Sequence, residues 1–377
     1  MLNNFMRLLI LTQKINKNDD LLGFMTGWVA EFSKQFESII VVALSVGLPC
    51  EISQGDNFSE RKIISQGDYH LPHNVKVLSL GKDSSIIHNS LFVIPKRIIY
   101  LIKFYRYIWQ YRNEYDCVLV HMNKEYMVLG GFLWQFWGKK TALWYNHKKG
   151  NIASSLAGYL AGQIFYTSPF SFFAKWPKAK IMPVGIDLSI FNPDPIVKKT
   201  PGSILFLGRI SPVKRPDVLI EALGLLKKEG INFKASLIGD APQRDKRYDK
   251  EINQKIKKLN LSNEIEVRNK IPHWQAPLIY NQHEIFVNLT PAGSMDKTIF
   301  EAMACGNLVL IANRSLLGEI SEALFFEEDN PKDLAEKIKG LLARDDSSKA
   351  EIAISLRKFV EEKHSLPLLA KKIINEF

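Results

Sequence analysis

Short apolar runs rich in Val, Ile and Leu alternate along the chain with longer segments of helical periodicity. In the first half these runs cover residues 8–11, 39–44, 75–80, 117–121 and 140–145. In the second half they cover residues 204–207, 234–238, 265–267, 285–289 and 308–311. Near-continuous apolar strands separated by helices are typical of parallel sheets that are buried on both faces. Helices are predicted over residues 23–36, 95–112 and 126–137.

This alternation is interrupted near the middle of the chain. Residues 184–187 are followed by Pro193 and Pro195 and then by the polar stretch 198–202. Such a stretch predicts a linker. We therefore expect an α/β protein of two doubly wound, Rossmann-like domains that face each other across a cleft, over residues 1–190 and 200–362.

The composition is that of a globular protein, with 46% hydrophobic and 24% charged residues among 377. The net charge of +11 favours anionic partners, such as nucleic acid, acidic lipid or phosphorylated ligands. Three widely spaced cysteines fit a reducing compartment. The first apolar run is too short for a signal peptide, and no run is long enough to span a bilayer. We expect a cytoplasmic protein, with the inner face of a membrane as the alternative.

Two common phosphate-binding motifs are missing from the sequence. The first strand is not followed by G-x-G-x-x-G, and there is no G-x-x-x-x-G-K-[ST]. Their absence counts against a nicotinamide-dependent dehydrogenase and against a P-loop kinase or ATPase.

The first candidate site follows the predicted strand at residues 204–207. Arg209 and Lys214 lie between that strand and a helix that is predicted to begin near Pro216. Ligands of open α/β sheets bind at the carboxyl ends of the strands. Two cations at this edge can neutralise a diphosphate, and the planar fork of Arg209 suits it especially. Taken alone, the two side chains are better explained as solvated loop residues.

The second candidate site lies at the start of a helix that is predicted to end at Gly306. Free backbone N–H groups at a helix start bind anions. Asp296 and Lys297 stand at this start, and Glu301 lies about one turn further in. A carboxylate there can accept hydrogen bonds from ribose hydroxyls. The alternative is that Glu301 is an ordinary surface residue. The small residues close to it favour close packing instead.

These motifs resemble a known family. Gly-Arg at 208–209 followed by Lys214, and Glu-Ala-Met-Ala-Cys-Gly at 301–306, are similar to the C-terminal half of glycosyltransferase family 4. Residues 183–187 (Pro-Val-Gly-Ile-Asp) resemble the signature before the second domain of that family. Residues 120–126 and 143–147 resemble strand ends of its bacterial members. The resemblance covers nearly the whole chain.

The resemblance implies a GT-B fold and a retaining transferase that takes its sugar from a nucleotide-diphosphate donor, with no cofactor and no metal. It places Arg209 and Lys214 on the donor diphosphate and Glu301 on the ribose. It places Gly23 near the donor phosphates and His147 near the transferred sugar. The first domain binds the acceptor, the second binds the nucleotide sugar, and a C-terminal helix at 363–377 crosses back to the first domain.

One position departs from the family pattern. Where members usually carry a second glutamate, eight residues before Glu301, this chain has Gly293. We expect Asp296 and Lys297 to take over the contact with the sugar. The alternative is a catalytically inactive scaffold that binds nucleotide or glycan. An epimerase or phosphorylase of the same architecture, and a nucleic-acid binder without a recognised motif, are weaker alternatives.

We expect the acceptor to be a glycan or a lipid-linked molecule in envelope or exopolysaccharide assembly. The helix predicted at 95–112 bears on this choice, because it carries basic residues and no acidic ones. Ile98, Ile99, Ile102, Tyr105 and Trp109 form one stripe at helical spacing. We expect this stripe to pack on the sheet, and peripheral binding to an anionic membrane is the alternative.

Overall fold

The computed structural model describes residues 6–47, 71–82, 96–291, 293 and 295–377. These residues form two compact units. The first comprises the described residues of Met1–Thr167, Ser171–Met182 and Leu369–Phe377, and the second comprises those of Ser168–Phe170 and Pro183–Leu368. Both units are α/β, as the alternation of runs predicts.

The first unit contains a seven-stranded parallel sheet in the order β3-β2-β1-β4-β5-β6-β7. Its strands are β1 (Leu8–Ile15), β2 (Ile39–Val46), β3 (Val75–Ser79), β4 (Cys117–His121), β5 (Lys140–Trp144), β6 (Gln163–Tyr166) and β7 (Ala179–Ile181). Its helices are α1 (Phe24–Phe32), α2 (Lys96–Gln110), α3 (Lys124–Phe136) and α4 (Ile152–Leu160). All five residues of β4 are buried, which confirms a strand covered on both faces.

The second unit contains a five-stranded parallel sheet in the order β10-β9-β8-β11-β12. Its strands are β8 (Ser203–Leu207), β9 (Lys234–Ile238), β10 (Ile265–Arg268), β11 (Ile285–Asn288) and β12 (Leu308–Ile311). Its helices are α5 (Pro216–Lys228), α6 (Lys246–Lys258), α7 (Ala276–Gln282), α8 (Lys297–Ala304), α9 (Pro331–Leu342) and α10 (Asp346–Lys363). The last helix, α11 (Leu366–Glu376), lies mostly in the first unit.

The expectation that the apolar stripe of α2 packs on the sheet is wrong. Ile98, Ile102 and Trp109 are exposed, while Phe104 and Ile108 are buried. Phe104 stacks on Tyr126 of α3 with ring centroids 5.5 Å apart and meets the edge of the Trp134 ring. The helix therefore turns Phe104 and Ile108 inward and the face with Ile98, Ile102 and Trp109 outward. Among the described helices, none has the length and apolarity needed to cross a bilayer.

Candidate active site

The carboxyl end of β8 is held against that of β9 by two glycines. Gly239 has a φ of 153°, and a Cβ atom at this position would lie 1.8 Å from the carbonyl oxygen of Gly208. The Ile210 N–H donates to the Asp240 carbonyl at 3.1 Å. Because glycine alone permits this approach, the backbone on either side of Arg209 has a fixed place at the sheet edge.

Arg209 carries an unusual feature within that loop. Its Nε atom is buried and has no hydrogen-bond partner within the part of the chain that the structure describes. A buried donor without a partner costs free energy. An anion bound at this edge would supply the missing acceptor, and a guanidinium is well suited to phosphate oxygens.

Lys214, at the end of the same loop, reaches the start of α8. Its ammonium group pairs with the Asp296 carboxylate and donates to Thr290 Oγ1 at 3.1 Å. Thr290 Oγ1 and Asn288 Nδ2 also donate to that carboxylate, at 2.6 and 3.1 Å. Burial would raise the pKa of Asp296, but Lys214 and these hydrogen bonds outweigh it, so the pKa is lower than usual. Asp296 is therefore a charged anchor for Lys214.

Lys297 occupies the first position of α8. Its ammonium group donates to the backbone oxygen of Val184. Desolvation lowers the pKa of Lys297 to about 7, against the opposing effect of the nearby Glu301. A lysine in this state changes its charge near neutral pH, close to the candidate phosphate-binding groups.

Glu301 is buried one turn into α8, with 3% of its surface exposed. Its two oxygens lie 2.8 Å from His273 Nε2 and 3.2 Å from the Tyr280 hydroxyl, which donates to it. Glu301 is therefore closely packed, as expected, and is not an ordinary surface residue. His273 and Tyr280 were not predicted, because they stand 28 and 21 residues from Glu301 and carry no local motif.

Gly293, the departure from the family pattern, is buried and has a φ of 150°. Residues with a side chain rarely adopt this backbone conformation. A glutamate at this position would therefore strain the loop.

The other two predicted site residues lie in the first unit. Gly23 is buried at the start of α1, with a φ of −55°. His147 is exposed beyond β5, with its ring 5.1 Å from that of Tyr145. Partial desolvation and the charge of Lys124 lower the pKa of His147, against an opposing effect of Glu125. The five remaining predicted residues, Arg209, Lys214, Asp296, Lys297 and Glu301, all belong to the second unit.

Acidic, histidine and cysteine side chains do not cluster in the described residues in any group of three that could hold a metal ion. The basic candidate groups of the second unit are Arg209, Lys214 and Lys297, and Lys214 is paired with Asp296.

Comparison with known proteins gives a family match in the second unit. Residues 191–357, which lie in the second unit, match the family described as "Glycosyl transferases group 1". The chain is 23% identical over 207 residues to "Putative colanic acid biosynthesis glycosyltransferase WcaL" of Escherichia coli K12, covering 52% of this chain and 50% of that protein. It is 30% identical over 166 residues to "D-inositol 3-phosphate glycosyltransferase" of Pseudarthrobacter chlorophenolicus, covering 40% of this chain and 37% of that protein. The chain thus spans half or less of the length of these two relatives.

Among solved structures, the chain is similar to Anabaena HepE in complex with UDP and glucose. The TM-score is 0.73 at 17% identity, and the match covers 98% of both chains. At this identity the similarity concerns the fold, which is GT-B with two Rossmann-like domains. The family match thus concerns the second unit, and the structural similarity concerns the fold of the whole chain.

Proposed function

We propose that this protein is a retaining, nucleotide-diphosphate-sugar-dependent hexosyltransferase of glycosyltransferase family 4. The observation that carries the proposal is the cationic edge of the second unit, where Arg209 has a buried donor without a described partner. The similarity to HepE, whose structure contains UDP and glucose, agrees with a nucleotide-sugar donor at this edge.

The reaction breaks the bond between the anomeric carbon of the sugar and the diphosphate, so negative charge grows on the leaving oxygen. In our proposal Arg209 and Lys214 stabilise that charge, and the start of α8 adds the positive end of its helix dipole. These groups are held before the substrate arrives, because the glycine contact fixes the loop and Asp296 anchors Lys214. In other enzymes one such preorganised donor is worth about 3–4 kcal/mol. No metal ion is part of this mechanism.

Retention needs no nucleophile from the protein. The leaving phosphate oxygen accepts the proton of the attacking acceptor hydroxyl on the same face of the sugar, while the new glycosidic bond forms. Glu301 binds the ribose in this proposal, Asp296 and Lys297 take the sugar, and Gly23 lies near the phosphates. His147 orients the sugar or the acceptor, and its role rests on the family resemblance.

The acceptor that we propose is a glycan or a lipid-linked sugar in the assembly of envelope or exopolysaccharide. The similarity to a protein named for colanic acid biosynthesis supports this acceptor class. The proposed location is the cytoplasm, at the inner face of the membrane.

The second candidate function is a scaffold that binds nucleotide or glycan without transfer. Gly293 favours it, because the family glutamate is missing and the backbone there disfavours any side chain. The presence together of Arg209, Lys214 and Glu301 favours the enzyme, since a scaffold needs no preorganised stabilisation of a leaving group.

Nucleotide binding is the first test of the proposal. We would measure the melting temperature with UDP, GDP, ADP, CMP and the matching nucleotide sugars, for wild type, Arg209→Ala and the exposed control Arg247→Ala. A ligand that binds only the folded protein raises the melting temperature. We expect one nucleotide to do so in wild type and Arg247→Ala but not in Arg209→Ala. Equal shifts in all three proteins, or none, would contradict the proposed donor site.

Turnover separates the enzyme from the scaffold. With the nucleotide sugar that binds, release of free nucleoside diphosphate is followed in the presence of envelope glycans or membrane extract. Binding without release under any of these conditions would favour the scaffold.

A further inference from the structure

The surplus of basic over acidic residues lies almost entirely in one segment, because that segment has few acidic residues. Residues 96–186 hold 13 basic and 3 acidic residues, out of 50 and 39 in the whole sequence. Ten of the eleven surplus positive charges thus belong to this segment, and the rest of the chain is nearly neutral. The segment includes α2, α3 and α4. No acidic residue lies on α2 or α4, and α3 carries Glu125 alone.

The three helices form one layer on the first unit. The Tyr105 hydroxyl of α2 donates to the Leu129 carbonyl of α3 at 3.1 Å. On the other side of α3, Gln135 donates to the Leu160 carbonyl of α4 at 2.9 Å. Since α3 contacts both neighbours, the outward surfaces of the helices are continuous, and we call them the outer helical face.

Each helix presents large apolar side chains on this face. On α3, Phe132 and Phe136 are one turn apart, and Phe136 is 79% exposed. On α4, Ile152 and Tyr159 are two turns apart, and Ile152 is 89% exposed. On α2 the exposed apolar positions belong to the stripe that was expected to pack on the sheet, and they include Ile102 and Trp109. Soluble surfaces do not usually gather such side chains on three adjacent helices.

Basic side chains accompany these apolar ones. Arg97 and Arg106 are exposed on α2, and Arg112 lies 4.9 Å from the centre of the Trp109 ring. Lys148 and Lys149 are exposed in the turn before α4. A face that combines aromatic and aliphatic groups with cations matches the chemistry of an anionic lipid surface, where apolar side chains enter the acyl boundary and cations meet the headgroups.

We propose that the outer helical face docks the protein on an anionic lipid bilayer, with Trp109, Phe132, Phe136 and Ile152 entering the interface. The proposal extends the proposed function by naming the surface that would bring the enzyme to a lipid-linked acceptor. It concerns binding to lipid alone, so its test needs neither donor nor transfer and can fail independently of the proposed activity.

The test is flotation of the full chain with vesicles of phosphatidylcholine alone or mixed with phosphatidylglycerol. We expect binding to the mixed vesicles only, and weakening by high salt. The variant Phe132→Ser/Phe136→Ser and the variant Arg97→Glu/Arg106→Glu should each reduce binding by at least ~10-fold. The changed positions are exposed, and unchanged melting temperatures would show that the variants remain folded.

Matched controls distinguish this face from the rest of the surface. Ile152→Ser should weaken binding, whereas Ile196→Ser, at a position with nearly the same exposure (87%) in the second unit, should not. Lys250→Glu/Lys257→Glu on α6 controls for total charge. Absence of binding to anionic vesicles, or equal binding by Phe132→Ser/Phe136→Ser, would overturn the proposal. So would a dimer in solution that both of these outer-face double variants dissolve, because a second copy of the chain would then be the occupant.

Discussion

The ammonium group of Lys214 and the carboxylate of Asp296 form an ion pair between the loop after β8 and the residue before α8. Both side chains are more than four-fifths buried. The pair keeps Lys214 at the sheet edge.

Asp296→Asn tests this pairing. We expect the free energy of unfolding at neutral pH to fall by about 1–3 kcal/mol, because Lys214 loses its charged partner. The pKa of Asp296 is lowered in the folded state, so its contribution is present above pH 3.8 and is lost as pH falls through the lower folded value. Urea unfolding at several pH values measures the difference. Glu319→Gln, which breaks an exposed pair with Lys363, is the control and should change stability by less than about 1 kcal/mol; equal losses would argue against a special role for Asp296.

His273→Ala tests whether His273 positions Glu301. The buried carboxylate would keep only the Tyr280 hydrogen bond, and we expect a loss of about 1–3 kcal/mol in unfolding free energy. The rise of melting temperature with nucleotide should shrink as well, since Glu301 would no longer be held. Tyr280→Phe removes the other hydrogen bond and serves as the matched comparison. A nucleotide response that survives intact in His273→Ala would separate His273 from the binding site.

Lys297→Met should change how stability depends on pH. The pKa of Lys297 is about 7 in the folded protein against an ordinary 10.5, so between these values the unfolded chain holds a proton that the folded chain lacks. The free energy of unfolding of wild type should therefore rise with pH across this window relative to Lys297→Met. Parallel curves for the two proteins between pH 7 and 10.5 would show that Lys297 stays charged when folded.

Gly293→Ala tests the backbone conformation at the position where the chain departs from the family pattern. With a φ of 150°, any side chain is strained, and we expect a loss of about 1–3 kcal/mol. Gly340→Ala is the control, because a Cβ at Gly340 in α9 meets no atom within 4 Å, and this change should stabilise the protein by about 0.4–1 kcal/mol. If Gly293→Ala lowered the free energy of unfolding no more than Gly340→Ala does, the backbone conformation would not explain why a glutamate is missing at position 293. Thermal and urea unfolding of both variants supply the comparison.

Much of the fold follows from local sequence pattern. A parallel strand that is buried on both faces must be apolar throughout, so β4 and β12 are visible as continuous runs. The start and end of α8 were predicted within a few residues because Asp296 and Gly306 are typical of helix termini. Strand β7 was missed, because it is three residues long with two of them exposed, and it carries no apolar run.

The features that the sequence did not predict depend on tertiary contacts. Helix α2 carries apolar residues on two faces, so its periodicity alone does not show which face packs against the rest of the protein. The contacts with aromatic residues of α3 determine which face is buried. The pairing of Glu301 with His273 joins residues that stand 28 positions apart in the sequence. Neither relationship leaves a signal in the spacing of residues along the chain.

The division of the chain into units has a consequence for synthesis on the ribosome. Most of the first unit precedes the second unit in the chain, yet the first unit also includes Leu369–Phe377, which follows it. Within it, Lys140 bonds the backbone oxygen of Phe377, whose ring lies 6.2 Å from that of Phe165. Nearly all residues of the second unit are contiguous in the sequence. This unit can therefore be completed before Leu369–Phe377 has been made. The first unit is thus completed only after the whole second unit has been made, although most of its residues are made before it.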